Sequence, residues 1–201
     1  MSAATQRIVI ATGNAGKLRE IAALLGSLDV SLVRQSELGV SPAAETADSF
    51  TGNALQKARH AAAATGLAAI ADDSGLVVEA LGGRPGIHSA RYAGVGASDE
   101  ENLDKLLREL QGIDDRSAYF HCAAVYLRNA DDEDPVVVEA SWPGEITTAR
   151  RGSGGFGYDP VFFVPELGCT SAELSADRKN QLSHRGQAFR ELAARLRRLL
   201  A

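Results

Sequence analysis

Residues 7–25 constrain the fold most. Arg7 to Ala11 is a short apolar, β-branched run that stops at Thr12-Gly13-Asn14, after which Leu18, Ile21, Ala22 and Leu25 fall at helical spacing. A strand that passes through a tight turn into an amphipathic helix is a building unit of α/β folds. A second strand is expected at Val30 to Arg34. The polar stretch from Gln35 to Asp48 then leads into a helix from about Ser49 to Thr65, whose apolar face is Phe50, Ala54, Ala58 and Ala61. Leu67 to Ala71 is a further apolar run, closed by Asp72-Asp73-Ser74-Gly75 before Leu76 to Leu81 resumes, so the carboxylates are expected in a break between two strands. Ser98 and Glu101 are spaced as a capping box for a helix ending near Leu110. Tyr119 to Leu127 and Pro135 to Trp142 form an expected hairpin around a solvated acidic turn, Asn129 to Asp134. A strand at Val161 to Val164 is followed by a closing helix from about Ser183. That helix carries Phe189, Leu192, Leu196 and Leu199 on one stripe, with Glu191 and Arg195 as an i,i+4 pair. No linker, repeat or low-complexity tract interrupts the 201 residues, and residues 1–201 are expected to form one domain.

Composition narrows the function. A net charge of -5 argues against bulk affinity for nucleic acid, which ordinarily needs a basic stripe, so any anionic ligand is left to a few placed cations. Of the 21 basic residues only four are lysines, and Lys17, Lys57 and Lys179 each lie in a motif-like segment. No apolar run approaches the roughly 20 residues of a membrane-spanning helix. Two isolated cysteines, Cys122 and Cys169, and an opening MSAATQRIVI without an apolar signal core point to a reducing, cytoplasmic setting. Nine of the 20 glycines fall in two stretches, five in Gly82 to Gly96 and four in Gly152 to Gly157, which marks loops with unusual backbone demands.

Four segments carry candidate chemistry. Thr12 to Lys17 sits where a strand meets a helix, a place where free amides and the helix dipole favour an anion. It is either such a site or an ordinary tight turn with a surface lysine. It is not a Walker A loop, because Ala11 and Leu18 stand where that pattern needs Gly and Ser or Thr. Gly152 to Gly157 satisfies G-x-G-x-x-G, but Tyr158-Asp159-Pro160 follows where the dinucleotide fingerprint opens a helix. The better reading is a loop that exposes Phe156 and Tyr158 for stacking on a base, with Asp159 as an acceptor; the alternative buries Phe156 in the core. Asp72 and Asp73, with Glu45 upstream, are suited to a hard cation such as Mg²⁺ or to activating water, or they simply form a turn. Finally, His184 and Arg185 begin a helix against the preference of its dipole, a local conflict that functional sites tolerate. His60, His88 and His121 show no ligand spacing.

In order along the chain, these segments resemble the inosine triphosphate pyrophosphatase family. The resemblance is carried by Ala11 to Lys17, Phe50 to Ala54 with Lys57-Ala58, Ala71 to Leu76, Pro85 to Tyr92, Gly155 to Pro160, and Ser183-His184-Arg185. It implies an elongated, mixed α/β fold with flanking helices and two lobes around a central cleft, usually a homodimer. The implied reaction is Mg²⁺-dependent hydrolysis of ITP, dITP or XTP at the α-phosphorus, giving the monophosphate and pyrophosphate and clearing deaminated purines from the nucleotide pool. Thr12, Gly13, Asn14, Ala15, Gly16, Lys17 and Lys57 would then hold the triphosphate, and Asn53 would be a further substrate-binding residue. Asp73 would be proton acceptor and metal ligand, Glu45 a second metal-side carboxylate, and Ser74 a substrate contact. Phe156, Gly157, Tyr158, Asp159, Lys179, His184 and Arg185 would form the nucleoside pocket. Some members carry a Glu-Glu pair where this chain has Ala44-Glu45, which leaves Glu45 as the sole acid there. A Maf-like nucleotide pyrophosphatase and a nucleotide sensor without turnover are the alternatives. Ser183 to Arg185 disfavours the first; Asp73, Glu45 and the three lysines disfavour the second.

Overall fold

The computed structural model describes residues 6–26 and 28–200. Residues 1–5, the first half of the opening MSAATQRIVI, lie outside them. Seven strands form one mixed sheet in the order β2-β1-β3-β4-β5-β6-β7. They are β1 (Gln6–Ile10), β2 (Val30–Arg34), β3 (Ala68–Val78), β4 (Ser117–Leu127), β5 (Val136–Ile146), β6 (Phe162–Val164) and β7 (Cys169–Thr170). Strand β1 pairs in parallel with β2 and β3, placing Ile8 opposite both Leu32 and Ala68, whereas β6 runs antiparallel to β5 and β7. Among the described residues, five α-helices accompany the sheet: α1 (Ala15–Leu25), α2 (Phe50–Thr65), α3 (Asp99–Glu109), α4 (Ala176–Leu182) and α5 (His184–Leu199). None is long and apolar enough to cross a membrane.

The chain divides into two compact units. The first holds the chain up to Asp73, Cys122–Ala140 and the residues from Arg185 onward; the second holds Ser74–His121 and Ser141–His184. In the first unit the two-residue period of the strands sorts side chains onto two faces. Ile8, Ile10, Ile70, Cys122, Ala124 and Tyr126 pack with Ile21 and Leu25 of α1 and with Phe189, Leu192 and Leu196 of α5. The intervening Val9, Ala11, Ala69, Ala71, Ala123 and Val125 pack on Ala54, Ala58, Ala61 and Ala62 of α2. Methyl-sized contacts allow α2 to lie close to the strands. Leu199, expected on the buried stripe of α5, is 48% exposed. The second unit has its own core, in which Leu103 and Leu106 of α3 join Phe120, Trp142, Ile146 and Phe162.

The caps agree with the sequence. Ser98 Oγ accepts the Glu101 amide while the Glu101 carboxylate accepts the Ser98 amide, completing the capping box. Ser49 caps α2 at the Gly52 amide, and Glu191 pairs with Arg195 at 2.9 Å.

Two expectations are corrected. Asp72 to Gly75 does not break the strand: β3 runs unbroken for 11 residues, because both carboxylates find cationic partners on the helices. The acidic turn is not wholly solvated either. Asp132 is buried and accepts the Arg128 amide and guanidinium, which ties the tip together.

The glycine clusters have separate causes. All five glycines from Gly82 to Gly96 adopt positive φ. In the second cluster the demand is also steric: a Cβ at Gly152 would lie 2.6 Å from the carbonyl carbon of Ala172, and one at Gly154 would lie 2.8 Å from its oxygen.

Candidate active site

The period of β3 determines where each acid goes. Asp72 continues the face of Ile70, toward α1 and α5, while Asp73 continues the face of Ala71, toward α2. The two neighbouring carboxylates therefore enter different environments and do not form one paired site.

On the α2 face, Asp73 Oδ1 accepts the Lys57 ammonium at 2.9 Å, and Oδ2 accepts the Asn53 side-chain amide at 3.2 Å. The Glu45 carboxylate reaches the same ammonium at 3.0 Å. Residues preceding α2 are folded back onto the helix to make this possible. The Thr46 amide donates to Gln56, Gln56 returns a bond to the Thr46 hydroxyl, and the Ala47 amide donates to Asn53 Oδ1. Gly52 gives the segment room, since a Cβ there would approach the Ala47 methyl to 2.7 Å. Asn53 is fully buried and spans Ala47 and Asp73, so it ties Asp73 to the segment that carries Glu45. Gln56, which motif reading missed, lies three residues further along the same helix and holds Thr46.

On the opposite face the partners of Asp72 are Lys17 at 3.1 Å and Arg185 Nε at 3.4 Å. Arg185 Nη1 also reaches Glu20 at 2.5 Å. Glu20 was not among the candidates, although its place three residues after Lys17 on α1 is a sequence signal for a shared face. At the start of α1, Thr12 Oγ1 accepts the Asn14 amide, and Asn14 Oδ1 caps the Lys17 amide. Gly13, Asn14 and Ala15 are exposed. The Ala15 and Gly16 amides belong to the first helical turn, where no intrahelical carbonyl can accept them. A helix start of this kind is suited to an anion.

Charge pairing outweighs burial at Asp72, Lys57 and Arg185. Burial alone would raise the Asp72 pKa, but Lys17, Arg185 and Lys57 hold it well below the ordinary carboxylate range. Burial would lower Lys57, yet Asp73, Asp72 and Glu45 raise it above its usual value. Arg185 is raised in the same way by Asp72 and Glu20. The neighbouring Cys122 thiol is pushed up to about 12, chiefly by burial and then by Asp72, and is an inert core group.

The second unit gathers Phe156, Asp159 and Lys179. Asp159 is buried; its Oδ2 accepts the Phe156 amide at 2.8 Å and the Lys179 ammonium at 2.5 Å, while Oδ1 accepts Ser171 at 2.8 Å. Lys179, carried by the unforeseen short helix α4, lies 4.9 Å from the centre of the Phe156 ring. A Cβ at Gly155 would collide with the Asp159 carboxylate, so glycine there lets the acid fold under the loop. Phe156 is half-buried and Gly157 sits beside it, its amide donating to Asp99. Tyr158, expected to be exposed, is buried: its hydroxyl donates to the Ser89 carbonyl at 2.8 Å, where it anchors the loop. His184 is buried as well, stacked on Phe120 with ring centres 4.7 Å apart. Ser74 is half-buried in β3, next to Asp73.

Among the described residues, no group of three or more His, Cys, Asp or Glu is gathered as a metal site. The donor set still suits a hard divalent cation, because two carboxylates from different segments converge on one positive charge, the Lys57 ammonium. Substrate oxygens would supply further ligands.

The chain thus combines an α/β fold with a strand-to-helix turn at Thr12 to Lys17 and two carboxylates that converge on Lys57. A model of the Ham1 family matches residues 8–195. The dITP/XTP pyrophosphatase of Pectobacterium atrosepticum is 59% identical over 194 residues, 96% of this chain and 98% of that one. That of Salmonella typhimurium is 57% identical with the same coverage. Among solved structures, a HAM1 protein from Coxiella burnetii is 45% identical with a TM-score of 0.90, covering 96% of this chain and 100% of the other. The chain belongs to the Ham1 family, bearing out the resemblance carried by its motifs.

Proposed function

We propose that this protein hydrolyses non-canonical purine nucleoside triphosphates, dITP, ITP and XTP, to the monophosphate and pyrophosphate. The observation that carries the reading is the convergence of Asp73 and Glu45 on Lys57, at 2.9 and 3.0 Å, in a unit that also presents the α1 start. The names of the relatives support the same class of reaction. A triphosphate brings close to four negative charges, and phosphoryl transfer depends mainly on positioning and neutralising them. Thr12 to Lys17 and Lys57 do that for the phosphates. Asp73 accepts the proton of the attacking water, and Asn53 and Lys57 hold its two oxygens in place for that task. Magnesium would be held by Asp73 and Glu45 and would neutralise phosphate charge while polarising the α-phosphorus.

On the nucleoside side, Arg185 offers donors to the 6-oxo group of hypoxanthine or xanthine, a group that adenine replaces with an amine. A buried donor left facing that amine costs enough to support discrimination as large as about 10⁴-fold. Phe156 supplies a ring face for the base and Lys179 a cation. Asp159 and Tyr158 hold that loop in shape. His184 and Ser74 complete the set of substrate contacts. The homodimeric state and cytoplasmic setting belong to the same proposal; sedimentation of the native protein reads the first.

Pyrophosphate release from ITP, dITP, XTP, ATP and GTP in Mg²⁺ tests the function. The expected result is pyrophosphate as the main product, with kcat/KM for ITP, dITP and XTP at least about 100-fold above that for ATP. Orthophosphate as the main product, or a preference for ATP, would overturn it.

A further inference from the structure

The charge chain Lys17–Asp72–Arg185–Glu20 remains unused by the chemistry of Asp73. Its four members come from three separate elements: Lys17 and Glu20 from α1, Asp72 from β3 and Arg185 from the start of α5. Asp72 Oδ2 alone lies within 3.1 Å of Lys17 Nζ and 3.4 Å of Arg185 Nε, so one oxygen serves both cations. Glu20 binds the other end of the guanidinium, at Nη1. Held at Nε by one acid and at Nη1 by another, the guanidinium is fixed in both plane and direction. Arg185 and Asp72 are almost wholly buried, and the Glu20 side chain is 14% exposed, so solvent screens these contacts little.

We propose that Glu20 and Asp72 are positioning residues for substrate selectivity: Glu20 orients Arg185, whereas Asp72 orients Arg185 and Lys17 together. This rests on the reading above, in which Lys17 holds phosphate and Arg185 faces the base. Under that reading Asp72 links phosphate grip to base recognition through a single carboxylate, and Glu20 acts on the base side through Arg185. Neither acid touches the reacting atoms.

The two acids are separable by experiment. Glu20→Gln keeps the size of the side chain and removes its charge. It is expected to raise KM for ITP about tenfold with kcat within about twofold, and to lower the ITP-to-ATP ratio of kcat/KM by about tenfold, as expected for loss of substrate orientation. Its inhibition constant for pyrophosphate should stay within about twofold of wild type, because Lys17 keeps Asp72. Glu20→Asp should recover part of the selectivity. Asp72→Asn should lower the ITP-to-ATP ratio and weaken pyrophosphate inhibition together. A Glu20→Gln protein with a lowered melting temperature but an unchanged ITP-to-ATP ratio has lost only a structural contact, and the proposal fails. It also fails if pyrophosphate inhibition weakens in step with ITP binding. Arg185→Gln separates the two levels of the argument. If it keeps the ITP-to-ATP ratio, the base-side reading of Arg185 is wrong; if it loses the ratio while Glu20→Gln does not, the positioning role is wrong.

Discussion

Asp73→Asn is expected to lower kcat for ITP by at least about 10³-fold while leaving ITP affinity within about tenfold. General base catalysis supplies factors of about 10² to 10⁴, and the amide can neither accept the proton nor balance the charge of Lys57. Affinity is largely kept because the amide is nearly isosteric with the acid, and because the groups assigned to the phosphates, Thr12 to Lys17 and Lys57, are intact. Glu45 still holds the Lys57 ammonium at 3.0 Å. Single-turnover kinetics and equilibrium binding on the same preparation separate the two quantities. Wild-type turnover in the variant would remove Asp73 from the mechanism.

Asp159→Ala should be the most damaging change in the second unit. It deprives the Phe156 amide, the Ser171 hydroxyl and the Lys179 ammonium of their shared acceptor, and it leaves an ammonium only 6% exposed without its nearest counter-charge. Breaking a buried pair by removing one partner costs about 3–5 kcal/mol. In a chain of this size that corresponds to a fall in melting temperature of roughly 10 °C. Asp131→Ala on the exposed acidic tip is the control and should change stability by no more than about 0.5 kcal/mol. An Asp159→Ala protein that melts with wild type would mean that the loop is not organised around this acid.

The parts of the molecule that could be read from the sequence are those specified locally. Strand β2 matches its expected span residue for residue, and the Ser98 capping box forms as its spacing implies. The alternation from Ile8 to Ala11 and from Ala68 to Ala71 distributes the core between α1 with α5 on one face and α2 on the other. What could not be read is what depends on partners far along the chain. Two consecutive aspartates look like a turn unless Lys17, Lys57 and Arg185 are known to meet them; once they do, the strand continues and its period sends the two acids to opposite faces. The same holds for Asn53 and Asp159. Both are expected as site residues from their motifs, but their buried, engaged geometry depends on Ala47 and on Ser171 and Lys179. The second glycine cluster likewise marked a loop correctly, while the reason for Gly152 and Gly154 lies in the backbone of Ala172.

The central claim is attack by water on the α-phosphorus of a deaminated purine triphosphate. Hydrolysis of dITP in ¹⁸O-labelled water, with mass spectrometry of both products, tests it most directly. The label should appear in dIMP, with unlabelled pyrophosphate released alongside. Label in pyrophosphate or orthophosphate would place the attack at another phosphorus and contradict the account.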